Sequence, residues 1–393
     1  MIIKNGLVYQ EDKGFVPQTI HIENGLFTEP SDCSYTAHET TLDAQGCYVI
    51  PGLVDIHFHG CMGQDFSDGT PESLNTIASF QLANGTTSIC PASMTLPINA
   101  ISHICENAAN WHKLHSLDSM SPSAFSRLMG IHLEEPFISP VKKGAQSPDY
   151  IISPDLSLLQ KWNDTAGNLV RLITLAPELY NALDFIEQLK NTNSLSHIHV
   201  SLGHSNSDYT MAREAFVAGA DHVTHLFNAM TPFNHRNTGI IGAALDTPHC
   251  YAELICDGIH VSAPMIRAAF SMFTDKRIVL ISDSMRATGL TDGTYSLGGQ
   301  DVTVQGKYAR LSDGTIAGSV TTLLDCLRTA VSMGIPLESA VKCATIDPAR
   351  SIGMEHLIGS ITPGTYGDCI ILNQNLEIIH IIKAGNNFLP SFF

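Results

Sequence analysis

Residues 51–63 read "PGLVDIHFHGCMG", an apolar run that ends in two histidines one residue apart and is then broken by glycine. In an extended segment side chains alternate between faces, so His57 and His59 share one face and Ile56 and Phe58 the other. Two imidazoles aimed at one point suit a metal ion, yet for an isolated His-x-His a hydrogen-bonded pair in a core is the better reading. What decides is whether other potential ligands recur at the ends of other strands.

Seven further short apolar runs follow: "TTSICPAS" (86–93), "LMGIHLEEPF" (128–137), "VRLITLAPE" (170–178), "HIHVSLGHS" (197–205), "DHVTHLFNA" (221–229), "CYAELICDG" (250–258) and "RIVLISDS" (277–284). Helical patterns lie between most of them, among them "PESLNTIASFQLANG", "DYTMAREAFVAGA" and "APMIRAAFSMF". Eight strands alternating with helices predict an α/β fold, a (β/α)8 TIM-like barrel, in preference to an open doubly wound sheet, which would carry a Gly-rich turn after its first strand. A β insertion is expected near 293–318, followed by two closing helices. Both chain ends read as strands, and "MIIKNGLVYQ" and "QTIHIENGLFTE" each hold the Asn-Gly dipeptide that favours a tight hairpin.

Apolar residues make up 44% of the 393 and charged ones 15%, the balance of a well-packed enzyme-like globule. A formal net charge of −17 opposes nucleic acid or anionic lipid as partner, and an anionic substrate would need a few local cations. Ten cysteines scattered from Cys33 to Cys369 without a Cys-x-x-Cys pair predict buried thiols and neither disulfides nor a zinc ribbon. The start "MIIKNGLVYQEDKG" lacks a signal-peptide pattern and no apolar run spans a bilayer, so a cytoplasmic protein is expected.

Barrel chemistry gathers at the carboxyl ends of the strands. His57 and His59 end the first strand, Glu134 the third, His204 the fifth, His225 the sixth and Asp283 the eighth. A scatter of 18 histidines has no reason to favour one rim, which turns the reading from core histidines to a metal site. Donors of this kind without cysteine suit zinc first, with iron and manganese as alternatives. Glu134, His204 and His225 can hold one divalent ion, and His57 and His59 a second, with Glu134 bridging. Such an ion lowers the pKa of water enough for attack on a carbonyl carbon. Asp283 would accept the proton and return it to a departing amine; the plainer reading is a carboxylate capping "SMRATG". His103, His112 and His115 are expected to face solvent, and "GHSNS" lacks the closing glycine of a nucleophile elbow.

With these residues placed, the chain resembles the N-acetylglucosamine-6-phosphate deacetylases of the amidohydrolase superfamily over nearly its whole length. The segments that carry the likeness are "PGLVDIHFHG", "GIHLEEPFISPVKKGAQ", "LGHSNSDY", "DHVTHLFNAMTPFNHRNTGIIGAAL", "DGIHV", "SDSMRATGLTDG" and "IAGSVTTL". The resemblance implies a barrel (51–354) plus a small β-sandwich domain formed by both chain ends (1–50 and 355–393). It implies metal binding by Glu134, His204 and His225 and a catalytic role for Asp283. It assigns sugar-phosphate contacts to Ala145, Gln146, Asn228, Ala229, Asp257 through His260, Ile316, Ala317 and Gly318. Arg236 would reach the phosphate from the neighbouring subunit, which implies a homodimer. The chain departs from many relatives in retaining the His57/His59 pair, in Glu135 where a glycine is usual, and in Gln146 where a histidine is usual. The implied reaction is acetamide hydrolysis of N-acetylglucosamine 6-phosphate, with the galactosamine epimer as nearest rival. A cyclic-amide hydrolase would want a lysine on the fourth strand, and "VRLITLAPE" has none. A non-catalytic sugar-phosphate or metal-binding protein would be expected to lack a ligand or the base, and none is missing.

Overall fold

In the computed structural model, which describes residues 1–29, 40–116 and 124–389, eight short parallel strands carry the central region. They are β1 (Leu53–Asp55), β2 (Thr86–Ile89), β3 (Ile131–Phe137), β4 (Val170–Leu175), β5 (His199–Leu202), β6 (His222–Val223), β7 (Tyr251–Ile255) and β8 (Ile278–Ile281). Each is followed by a helix: α1 (Pro71–Ala83), α2 (Ile98–Ser116), α3 (Leu156–Thr165), α4 (Ala182–Asn191), α5 (Tyr209–Ala218), α6 (Gly239–Leu245), α7 (Ala263–Phe273) and α8 (Leu323–Ser332). β2, β3 and β8 are buried along their whole length, because helices cover one face and the facing strands the other.

The strands lie in two parallel sheets. β3 to β8 pair in chain order, while β2 lies between β1 and the short strand Arg127–Leu128. A parallel bridge between Ala92 and His132 links the two sheets on one side. On the other, the Asp283 amide donates to the His57 carbonyl at 3.0 Å. Side-chain caps start several helices, Thr70 for α1, Asp155 for α3 and Asp208 for α5, each accepting from an amide of the first turn. The segment after β8 forms the three-stranded antiparallel sheet Gly293–Leu297, Gln300–Gln305 and Tyr308–Arg310. Three helices rather than two close the region, since α9 (Leu337–Ala344) and α10 (Ile346–Ser351) are separated at Thr345, whose φ of −131° and ψ of −82° are not helical.

Both chain ends meet in one mixed sheet, in which Tyr48–Pro51 lies between Ile2–Gln10 and Cys369–Leu372. The two Asn-Gly pairs there differ. Asn24-Gly25, both at positive φ, makes the expected hairpin between Gly14–Glu23 and Leu26–Thr28. Asn5-Gly6 makes none: Ile2–Gln10 runs on through it with only a bulge, because Gly6 lies against a neighbouring strand, where an added Cβ would come within 2.6 Å of Val49 Cγ2. The nine described cysteines are free, and Cys33 lies outside the described residues. Among the described residues no helix is long and apolar enough to cross a membrane.

Candidate metal centre

Four candidate residues share one position relative to their strands. His57, His204, His225 and Asp283 each stand two residues beyond the end of β1, β5, β6 and β8. Three have left-handed backbones, His204 at φ 46°, His225 at 28° and Asp283 at 48°, a conformation that non-glycine residues seldom adopt and that clusters at working sites. Two expectations need correction. β1 stops at Asp55, so His57 and His59 lie beyond the strand and do not owe their meeting to strand alternation. Pairing ends there because the Asp55 carboxylate accepts from the His57 amide at 3.3 Å and from the Ser282 hydroxyl. Glu134 lies in the middle of β3 rather than at its end, because pairing with β4 resumes at Phe137.

Glu134 is the hub. Its Oε1 is 3.2 Å from His57 Nε2, 3.1 Å from His204 Nε2 and 3.1 Å from His225 Nε2, while its Oε2 is 3.3 Å from His59 Nε2. His59 Nε2 also lies 3.3 Å from Asp283 Oδ1, and the Nε2 atoms of His204 and His225 are 3.0 Å apart. All six residues are buried.

Two of the rings are fixed from behind through Nδ1. His204 Nδ1 lies 3.0 Å from the Lys142 carbonyl, which can only accept, so Nδ1 carries the proton and the neutral ring presents a lone pair at Nε2. His57 Nδ1 is likewise held by Glu253 Oε2 at 2.8 Å. Lone pairs therefore face a carboxylate oxygen, and this needs positive charge. Protonated rings are one source: burial disfavours charge on His57, yet Glu134 and Glu253 outweigh it and hold its pKa well above the ordinary imidazole value. Burial would raise the Glu134 pKa, but His57, His204 and His225 hold it well below the carboxylate range. A divalent cation is the other source, and the donor set fits one: the ligand atoms of His57, His59 and Glu134, and those of Glu134, His204 and His225, lie within 4.8 Å of one another in each set.

The centre opens into a cavity of about 310 Å³, which Ala145, Gln146, Asn228, Ala229, His260, Ile316 and Gly318 line together with His59, Glu134, His204, His225 and Asp283. Five expected contacts do not reach it directly, Gly258 and Ile259 between Asp257 and His260 among them. Asp257 stands behind His260, holding its Nδ1 at 2.7 Å. Ala317 points into an apolar cluster with Met94, Met285 and Leu297. Arg236 is exposed on the stretch 231–238, away from the cavity of its own chain. Gly318, at φ 63°, favours glycine, since a side chain there would be strained and its Cβ would sit 3.2 Å from the Asp283 carbonyl. Glu135 is fully buried, and burial and the adjacent Glu134 push its pKa well above the usual range. Gln146 Nε2 donates to Glu135 Oε1, and its Oε1 accepts from the Thr95 amide at 3.0 Å.

Sequence reasoning missed Glu253 and Asp55. Each is a lone carboxylate in an apolar run, "YAELI" and "LVDIHFHG", and that isolation was the available signal.

The amidohydrolase family profile matches residues 48–388. The chain belongs to the amidohydrolase family. Among curated relatives, this amidohydrolase is 37% identical over 346 residues to an N-acetylglucosamine-6-phosphate deacetylase of Bacillus subtilis, covering 86% of this chain and 84% of the relative. It is 32% identical to an N-acetylgalactosamine-6-phosphate deacetylase of Escherichia coli O157:H7, covering 95% and 94%. Among solved structures it is similar to a variant of N-acetyl-D-glucosamine-6-phosphate deacetylase from Mycobacterium smegmatis in complex with N-acetyl-D-glucosamine-6-phosphate. That likeness has a TM-score of 0.87, with 29% identity over 98% of both chains.

Proposed function

We propose that this amidohydrolase cleaves the acetamide of N-acetylglucosamine 6-phosphate by metal-dependent hydrolysis, giving glucosamine 6-phosphate and acetate. The observation that carries the reading is the set of buried Nε2 atoms aimed at Glu134, with the Asp283 carboxylate beside them. Glu134, His204 and His225 would hold one divalent ion, zinc first, and His57 and His59 with Glu134 a second. Such an ion supplies Lewis acidity towards the acetamide carbonyl and towards the attacking water.

The chain's own residues do the rest. Burial opposes charge on Asp283, but His59 and His57 keep its pKa below the usual value, so its carboxylate is ionised and ready to accept a proton at neutral pH. The proton then passes to the amine nitrogen as the C–N bond breaks. Gln146 would orient the acetamide, and His260, fixed by Asp257, would donate to the sugar. The Asn228 amide already donates to the His225 carbonyl at 3.0 Å, so of this pair Ala229, at φ 49°, would offer the backbone amide, with Asn228 beside it in the cavity wall. Arg236 would meet the phosphate of a partner's substrate with its planar fork in a homodimer, a role that its exposure supports. The same reading includes a (β/α)8 barrel over 51–354, supported by the links at both edges of the two parallel sheets, and a small β domain from 1–50 and 355–393, expected as a sandwich and built on one mixed sheet that shares a core with the central strands. It also includes a cytoplasmic location.

The Escherichia coli relative favours a second substrate, N-acetylgalactosamine 6-phosphate. Acetate release from both phosphosugars and from unphosphorylated N-acetylglucosamine tests the proposal. A preference for the glucosamine phosphoester supports it, a preference for the galactosamine epimer replaces it with the second reading, and no turnover of any of the three refutes both.

A further inference from the structure

At the amino ends of β3 and β4, a second cavity of about 290 Å³ opens between the central strands and the terminal sheet. Trp111, Phe125 and Tyr366 give it aromatic walls, and Arg127, Arg171 and Lys383 give it positive charge. Its volume is near the lower end of the range for small-molecule sites. His112 and His115, expected in solvent, are half-buried along it; the His112 ring is held by the Leu128 carbonyl at 3.0 Å and the His115 ring packs on Trp111 with centroids 4.1 Å apart.

The two arginines differ. Arg127 is satisfied: its Nε donates to Asp368 Oδ2 at 2.9 Å, and the guanidinium lies 4.0 Å over the Tyr366 ring. Arg171 has no carboxylate partner among the described residues, only a 3.5 Å hydrogen bond to the Met129 carbonyl. It is half-buried, and that burial lowers its pKa. A cation partly removed from water without a counter-charge is costly, so its retention needs a reason. The fold makes room for it, since a Cβ on Gly130 would fall 2.2 Å from Arg171 Cγ. A chain with 38 acidic residues against 21 Lys and Arg could easily have placed an acid here.

We propose that this cavity binds a small amphipathic anion, a carboxylate or phosphate on an aromatic body, with the anionic group on Arg171 and the body against the wall that Trp111, His115 and Phe125 form together. A guanidinium fork matches the oxygens of either anion, and the aromatic walls match a planar body.

Calorimetric titration of the full-length protein with benzoate, phenyl phosphate and the neutral benzyl alcohol tests this. Expected are saturable one-to-one binding of at least one anion, benzyl alcohol at least tenfold weaker, and no displacement by excess glucosamine 6-phosphate. The two anions distinguish the carboxylate from the phosphate source. Arg171→Gln is expected to weaken the anion at least tenfold while acetate release is unchanged. Trp111→Phe gives an independent check, because quenching of tryptophan emission by the anion should vanish although Trp162 remains. The proposal is overturned if neither anion binds, if glucosamine 6-phosphate competes, if Arg171→Gln binds as wild type, or if quenching survives in Trp111→Phe.

Discussion

Asp221 and Glu134 both sit among histidines, and the contrast between them shows what makes a metal site. Asp221, beside the amino end of β6, accepts from His199 Nδ1 at 2.7 Å, His222 Nδ1 at 2.8 Å and the Val200 amide at 3.2 Å, with Lys190 Nζ at 3.4 Å. Glu134, inside β3, faces four Nε2 atoms, and the rings of His57 and His204 are pinned through Nδ1 by Glu253 and by the Lys142 carbonyl. By residue type and spacing both clusters could hold an ion. At Asp221 the ring protons point at the carboxylate and a lysine supplies positive charge; at Glu134 the rings of His57 and His204, pinned from behind, turn their Nε2 lone pairs inward. Orientation of the rings by groups behind them decides the outcome, more than the donor list does.

The most severe way to break the contrast is Glu134→Ala, which is expected to remove both bound divalent metal and acetate release, read by elemental analysis and enzymatic assay. Asp283→Asn should separate chemistry from binding: kcat falls by roughly 10²–10⁴-fold while metal content stays at the wild-type level. If that variant keeps near-normal turnover, Asp283 is not the proton acceptor. Glu253→Gln removes the charge behind His57 without touching the cavity, and should weaken metal affinity by about 10- to 100-fold in a chelator competition. An unchanged affinity would mean that His57 needs no orienting carboxylate.

Asp221→Asn should do the reverse, leaving metal content alone and costing about 1–3 kcal/mol of stability in a denaturant titration. The smallest effect is its pH dependence. Burial works against the Asp221 charge, but His222 and His199 outweigh it and hold the pKa well below the ordinary value. Its contribution to stability is therefore fully present above about pH 4 and shrinks as the pH falls through the lowered folded pKa. The stability gap between wild type and Asp221→Asn should close in that acid range, and a gap that widens there would refute the assignment.

His57, His204 and His225 were legible as candidates because they stand at a fixed offset from strands that alternate with helices, a pattern that periodicity exposes, whereas Glu134 lies inside its strand. Glu253 and Asp55 were not, because one carboxylate in an apolar run does not say which imidazole or hydroxyl will meet it across the sheet. Asn5-Gly6 misled for a similar reason: a strand from a distant part of the chain, Tyr48–Pro51, overrides the local turn preference. His112 and His115 look solvent-facing on α2 until Arg127, Leu128 and Tyr366 are brought beside them, which only tertiary packing does.

The most direct test is anomalous X-ray scattering from crystals grown with zinc and recorded above and below its absorption edge. The strongest peak is expected between Glu134 Oε1, His204 Nε2 and His225 Nε2, with any second peak beside His57 and His59 and none at Asp221. A peak at His199, Asp221 and His222 with none at Glu134 would contradict the account, because the ring orientations on which it rests would then not select the ion.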